Sequence, residues 1–286
     1  MASEFLYPIA CRKNCFFCNW PDFRYDFPVP MKLPFQRQRA AAAAVPTAAD
    51  FPPLSGADIA GMVQGTRVGG DFYGFLRANP CRVIFGLLDV AGNYQENHAI
   101  VEATRQTFHE LGCKSFADPD VNEADAMMEL CLQLNLTIRR AASGVRSCPA
   151  FIGCYNEALG TVCYANAGHT PGLLRDGTGV SELPATGLPL GLFAASTYEA
   201  PFAALQPGAS LLLVSRGVVE AAYKKEEFGL QRVKEQFQRA SRMNARDIAT
   251  GILDGVQQFL RTPPTHNDVT ALALVRSEPR SAAAEA

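Results

Sequence analysis

The chain has 286 residues, 48% of them hydrophobic and 19% charged, with 26 basic against 28 acidic side chains and a net charge of −2. That is material for one sizeable core with at most a small appendage, and the even balance excludes the basic excess of a nucleic-acid binder. No apolar run is long enough to cross a bilayer, and the opening MASEFLYPIACRKNC lacks the basic start and apolar stretch of a secretory signal.

Residues 1–50 read as an N-terminal extension and linker, rich in cysteine and aromatics and closed by an alanine run and prolines. Within it Cys11, Cys15 and Cys18 are spaced C-x3-C-x2-C, a spacing found in zinc and iron–sulfur sites. Only three ligands are local, so free thiols are the favoured reading and a metal or cluster stays open. Nine cysteines without a disulfide framework point to a reducing, cytoplasmic compartment.

A regular pattern begins at Ala57. Residues 57–64 and 69–76 read as strands, and CRVIFGLLDV (81–90) is apolar on both faces, as a central buried strand is. Two helices follow, with Ile100, Thr104, Phe108 and Leu111 on one face of the first and Met127, Cys131, Leu134 and Ile138 on one face of the second. Strands are predicted over 150–156, 161–166, 172–174, 198–205 and 211–215. A second helix pair carries Leu230, Val233 and Phe237, then Ile248, Ile252, Val256 and Phe259. A last strand covers 269–275, and 277–286 reads as a disordered tail. Helix pairs between strand runs predict an α+β domain, with antiparallel sheets covered by helix pairs, over 51–276.

Two aspartates carry the chemistry. Asp71 follows Gly69-Gly70 at a strand start, and Asp89 ends the apolar strand before Ala91-Gly92. A charge at the end of a buried strand is costly unless paired or coordinated. Two carboxylates at neighbouring strand ends suit Mg²⁺ or Mn²⁺, against the plainer reading that each caps a turn. His169 reads as structural, and His98, His109 and His266 have no ligand spacing.

From about Leu54 to Val275 the chain resembles the PPM-type metal-dependent protein phosphatases of the SpoIIE and RsbU kind. The resemblance rests on VGGDFYGF (68–75), GLLDVAG (86–92), YANAGHTPGLLR (164–175), GLPLGL (187–192), LLLVSRGVVEA (211–221), EFGLQRV (227–233) and NDVTALAL (267–274), in the family's order. It implies a PPM-type α/β-sandwich that hydrolyses phosphoserine or phosphothreonine through one or two Mn²⁺ or Mg²⁺ ions. It carries metal-ligand roles onto Asp71, Asp89 as the bridging ligand, and the backbone carbonyl of Val90. It also exposes departures. Arg216 stands where the family has the Asp of Thr-Asp-Gly, and Asn267 where it has the first of two Asp. Gly74 and Asn93-Tyr94 differ as well. Arg216 and Asn267 fall on the same metal site, and Arg216 is expected to pair with Asp89 or, failing that, to face solvent; Asp268 is a substitute donor. The implied partner is a phosphorylated regulatory protein such as an anti-sigma-factor antagonist, with no nucleic acid and no membrane; a homodimer stays open. The alternative is a catalytically dead pseudophosphatase acting as a binding or regulatory module.

Overall fold

Every residue of the strand Arg82–Val90 is buried, and a strand buried on both faces needs a sheet covered on both sides. The computed structural model supplies those covers. It describes residues 47–48, 54–65, 70–90, 94–142, 144–240, 243–261 and 268–278, all within one compact unit, Ala42–Ala286. Cys11, Cys15, Cys18, His266 and Asn267 lie outside the described residues, as does the tail beyond 278.

In chain order the elements are β1 (Thr47–Ala48), β2 (Ala57–Gln64), β3 (Gly70–Asn79), β4 (Arg82–Val90), α1 (Tyr94–Ser115), α2 (Glu123–Ala141), β5 (Ala150–Asn156) and β6 (Thr161–Ala167). Then come β7 (Gly172–Asp176), β8 (Gly179–Leu183), β9 (Phe202–Ala204), β10 (Ser210–Val214), the one-turn α3 (Arg216–Val219), the hairpin β11 (Ala222–Tyr223) and β12 (Glu226–Glu227), α4 (Gly229–Arg239), α5 (Ala245–Leu260) and β13 (Val269–Arg276). One antiparallel sheet runs β1-β2-β13-β10-β7-β8, the other β3-β4-β5-β6-β9. Thr47–Ala48, within the expected linker, thus adds an edge strand beside β2.

Side-chain parity stacks these layers. Alternate residues of a strand face opposite sides. Phe85 and Leu87 of β4, Phe151 and Tyr155 of β5, Leu211 and Leu213 of β10, and Leu272 and Leu274 of β13 form the core between the two sheets. The intervening residues Ile84 and Leu88 face away and pack under α1 and α2, with Phe108, Met127, Leu130 and Leu134. Leu212, Ala271 and Ala273 pack under α4 and α5, with Val233, Phe237, Ile252 and Val256. Fully burying one such large apolar side chain contributes about 1.5–3 kcal/mol before entropy is charged. The helices begin and end for local reasons: Asn122 caps α2 by accepting from the Ala124 and Asp125 amides, and Asn244 caps α5 through the Asp247 amide. Buried Arg175 ties α4 to its sheet, donating to the Phe237 carbonyl (2.7 Å) and Ser210 Oγ (2.7 Å).

The expected strand over 198–205 shrinks to Phe202–Ala204. Pro201 has no amide to donate to a ladder, and Tyr198 instead bridges to Gly187. Close packing also explains a glycine. A Cβ on Gly153 would lie 2.4 Å from Phe85 Cζ, so β5 gives up a side chain there to admit that ring. In β3 the pairing with β4 slips by one residue between Arg77 and Asn79, a β-bulge near the hairpin end of both strands. Among the described residues no helix is long and apolar enough to cross a membrane.

Candidate metal centre

The register of β3 against β4 places Asp71 directly opposite Asp89. Both share the parity of Phe85 and Leu87, so their carboxylates point into the gap between the sheets, at its open end. Across the gap β13 and β10 present their own inward positions. Thr270, two residues before inward-facing Leu272, donates from Oγ1 to Asp71 Oδ2 at 2.8 Å. Ser215, two residues after Leu213, also hydrogen-bonds Asp71, and its Oγ accepts the Thr270 amide at 3.1 Å. Asp268, buried and next in the same parity, lies within electrostatic reach of Asp71.

Burial, then the charge of Asp89, push Asp71 up to about 7, against the hydrogen bonds from Thr270 and Ser215; Asp268 adds a smaller push. Burial also raises Asp89, opposed by the Arg216 guanidinium. That guanidinium leads α3, with Nε 3.2 Å from Asp89 Oδ2 and 3.7 Å from Glu220 Oε2, and its side chain is 49% exposed. The expected Arg216–Asp89 pair is therefore present. The Val90 carbonyl accepts from Asn97 Nδ2 at 2.9 Å. Asn97, on the first turns of α1, is fully buried, and its Oδ1 has no hydrogen-bond partner. A carbonyl oxygen has two lone pairs, so this contact leaves Val90 one more. His169 is buried and neutral: burial drives it down to about 4, the Thr170 carbonyl opposes, and the charge of Arg216 adds to the fall. Its Nδ1 meets the Thr170 hydroxyl (3.0 Å) and carbonyl (3.2 Å), and its amide bonds Asn166 Oδ1, a structural role.

The structure thus brings together Asp71, Asp89, Arg216 and Asp268, and adds Thr270, Ser215 and Asn97, which the sequence did not single out. The signal for Thr270 and Ser215 was their parity with inward leucines. Among the described residues no group of three or more His, Cys, Asp or Glu side chains forms a ready cage for a metal ion. The donor chemistry nonetheless fits one hard divalent cation, since Mg²⁺ is usually held by one or two carboxylates, with water and phosphate oxygens filling the rest. Asp71, Asp89 and Asp268 set against the Arg216 guanidinium leave the mouth of the gap receptive to a cation. Arg216 already pairs with Asp89 Oδ2, so that oxygen is shared with a fixed cation.

Two antiparallel sheets, each backed by a helix pair, with carboxylates at the mouth of the gap between them, define a PP2C-type fold. Residues 79–277 match the family model described as Stage II sporulation protein E (SpoIIE), and the chain belongs to that family. A chain of SpoIIE from Bacillus subtilis, holding its PP2C phosphatase domain and a fragment of its regulatory domain, superposes with a TM-score of 0.64 at 16% identity, over 78% of this chain and 64% of that one. The RsbU and RsbW domains of Rv1364c from Mycobacterium tuberculosis give 0.64 at 23%, over 80% and 62%. Among curated proteins, Protein IcfG of Synechocystis is 30% identical over 135 residues, 44% of this chain but 20% of that protein. The chain therefore spans about a fifth of the curated relative it matches and under two thirds of these two solved chains. A further solved neighbour, RsbX (TM-score 0.54, 12% identity, 82% of this chain and all of that one), was crystallised in complex with magnesium.

Proposed function

We propose that this domain hydrolyses phosphoserine or phosphothreonine on a regulatory protein, slowly, with a single Mn²⁺ or Mg²⁺ ion held by Asp71, Asp89 and the Val90 carbonyl. The observation that carries the reading is the facing pair Asp71–Asp89 at the mouth of the sandwich. A bound divalent ion supplies a nucleophile near neutral pH and neutralises phosphoryl charge. The chain's own part is positional. Thr270 and Ser215 hold the Asp71 carboxylate in one orientation, Asn97 holds the Val90 carbonyl, and the inter-sheet leucines keep bulk water from behind the site. Half-exposed Arg216 is free to turn its remaining N–H groups toward a substrate phosphate. The phosphorylated partner, such as an anti-sigma-factor antagonist, and a cytoplasmic setting follow from the family and belong to this proposal. So do the ligand roles and the division into extension, phosphatase domain and tail.

The pseudophosphatase is the second reading, favoured by one observation: the guanidinium of Arg216 neutralises Asp89 without any metal. The test is hydrolysis of a phosphoserine peptide and of p-nitrophenyl phosphate in Mn²⁺ by the full chain, beside Asp71→Asn. Slow turnover that Asp71→Asn abolishes supports the enzyme. No turnover above that variant leaves the pseudophosphatase, and turnover indifferent to Asp71→Asn sinks the proposed centre.

A further inference from the structure

Away from the carboxylates, α5 packs against the β11–β12 hairpin, and a cleft of about 560 Å³ opens there. Its walls carry Lys224, Lys225, Arg232 and Arg261, with Glu226 and Gln258, around the rings of Tyr223 and Phe259. Arg232 is committed to the protein: it pairs with Glu226 at 2.7 Å, donates to the Glu227 and Phe228 carbonyls, and covers Phe259. Lys224, Lys225 and Arg261 form no ion pair among the described residues. Two of them converge on one ring, with Lys224 Nζ 5.4 Å and Arg261 Cζ 5.0 Å from the centroid of Tyr223.

The backbone at these two cations is unusual. Lys224 (φ 60°) and Arg261 (φ 59°) are the non-glycine residues with positive φ among the described residues. Each stands where glycine is the favoured residue. Lys224 is the first residue of a two-residue turn, since Tyr223 pairs with Glu226, and a positive φ there favours glycine. Arg261 is the left-handed C-cap of α5, bonding the Gln257 carbonyl, a position where glycine commonly ends a helix. An L-residue in this conformation costs energy that glycine avoids. Local preference is overruled twice, in one cleft, each time to place a cation beside Tyr223. Such conflicts are where function is to be looked for.

The chemistry selects the ligand. Cations without carboxylate partners, beside half-buried aromatic rings, suit carboxylates with adjoining apolar stems. The net charge of −2 speaks against nucleic acid. None of the exposed large hydrophobics, Val145, Leu159, Leu188, Phe193, Phe202 and Met243, lines the cleft, so it lacks the apolar face a bilayer surface needs. We propose that this cleft docks an acidic peptide segment of the protein partner, whether or not the centre is hydrolytic.

The test uses the full chain and the fluorescence anisotropy of a labelled Glu-rich peptide and its Gln-for-Glu counterpart. The acidic peptide binds and weakens with added salt, and the neutral one does not bind. The double variant Lys224→Gly with Arg261→Gly removes two cations while giving each backbone position its preferred residue, so its melting midpoint is unchanged or higher. Its affinity for the acidic peptide falls by roughly three- to thirtyfold, two exposed ion pairs' worth. Equal binding of the two peptides, or undiminished binding by the variant, overturns the proposal. So does a melting midpoint lowered by several degrees with binding intact, which makes the cations staples for Tyr223. Phosphatidylserine vesicles that bind the chain more tightly than the peptide does also overturn it, in favour of a lipid surface. p-Nitrophenyl phosphate, which has no acidic flank, reports on the carboxylate centre separately, so failure there leaves the docking result standing.

Discussion

Replacing Arg216 by Gln tests the electrostatic account of the centre. The guanidinium lies 3.2 Å from Asp89 Oδ2, so a divalent ion on that carboxylate would share it with a fixed positive charge. Two unit charges about 4 Å apart interact by about 1 kcal/mol in water and about 4 kcal/mol in a partly screened cleft. The Arg216 side chain is 49% exposed, which selects the lower figure. The double charge of the ion brings the repulsion to about 2 kcal/mol, or roughly thirtyfold in dissociation constant. Freeing Asp89 from its pair adds at most about 1 kcal/mol, since partly exposed pairs are weak. Mn²⁺ titrated by calorimetry into the full chain therefore binds Arg216→Gln tighter than wild type by roughly 30- to 150-fold at low salt. The gap narrows as salt screens the guanidinium. Asp71→Asn, tested alongside, weakens binding in both backgrounds. A change of under about threefold for Arg216→Gln would falsify the placement of the ion on Asp89, because repulsion this close cannot be so small.

In metal-free buffer Asp71 destabilises the fold as pH rises. Its folded pKa, about 7, lies above the unfolded 3.8, so the folded state holds the proton longer and stability falls between those two values. Asp71→Asn removes that slope, and denaturant titrations should show the variant gaining on wild type across this window by up to about 4 kcal/mol; a constant gap between pH 4 and 7 refutes it. His169 acts in the opposite sense, its folded pKa of about 4 lying below the unfolded 6.5. Stability rises with pH between those values, and His169→Gln should flatten that rise in the same titrations. Gly153→Ala drives a methyl group into the Phe85 ring and is expected to cost about 1–3 kcal/mol, read as a lower denaturation midpoint with unchanged slope.

Much of the layering was legible because strands and helices bury different periods. The strands 57–64 and 150–156 appear at their predicted ends, bounded by residues that do not continue a ladder. The stripes Met127–Ile138 and Ile248–Val256 are buried as read. The one-turn α3 is too short to show a period, and β8, GVSEL, mixes glycine and charge in a half-exposed strand. At the centre, a charge ending an apolar strand drew attention to Asp89. That it faces Asp71 depends on register, which composition does not encode. Thr270, in β13, and Ser215, just past the end of β10, are ordinary residues until the second sheet is laid over the first. The partnership of Val90 with Asn97 joins a strand end to a helix, a contact no local pattern predicts.

The slip between Arg77 and Asn79 reaches further than its size suggests. Beyond the hairpin Asn79 pairs with Arg82, and were that register carried unbroken along both strands, Asp71 would sit opposite Val90. Successive residues point to opposite faces, so Val90 looks toward the helices while Asp89 looks into the gap. A single extra residue at the far end of the hairpin thus decides whether two acids meet at the mouth. An insertion or deletion at the β3–β4 tip that was carried into the strands rather than absorbed in the turn would part the two acids.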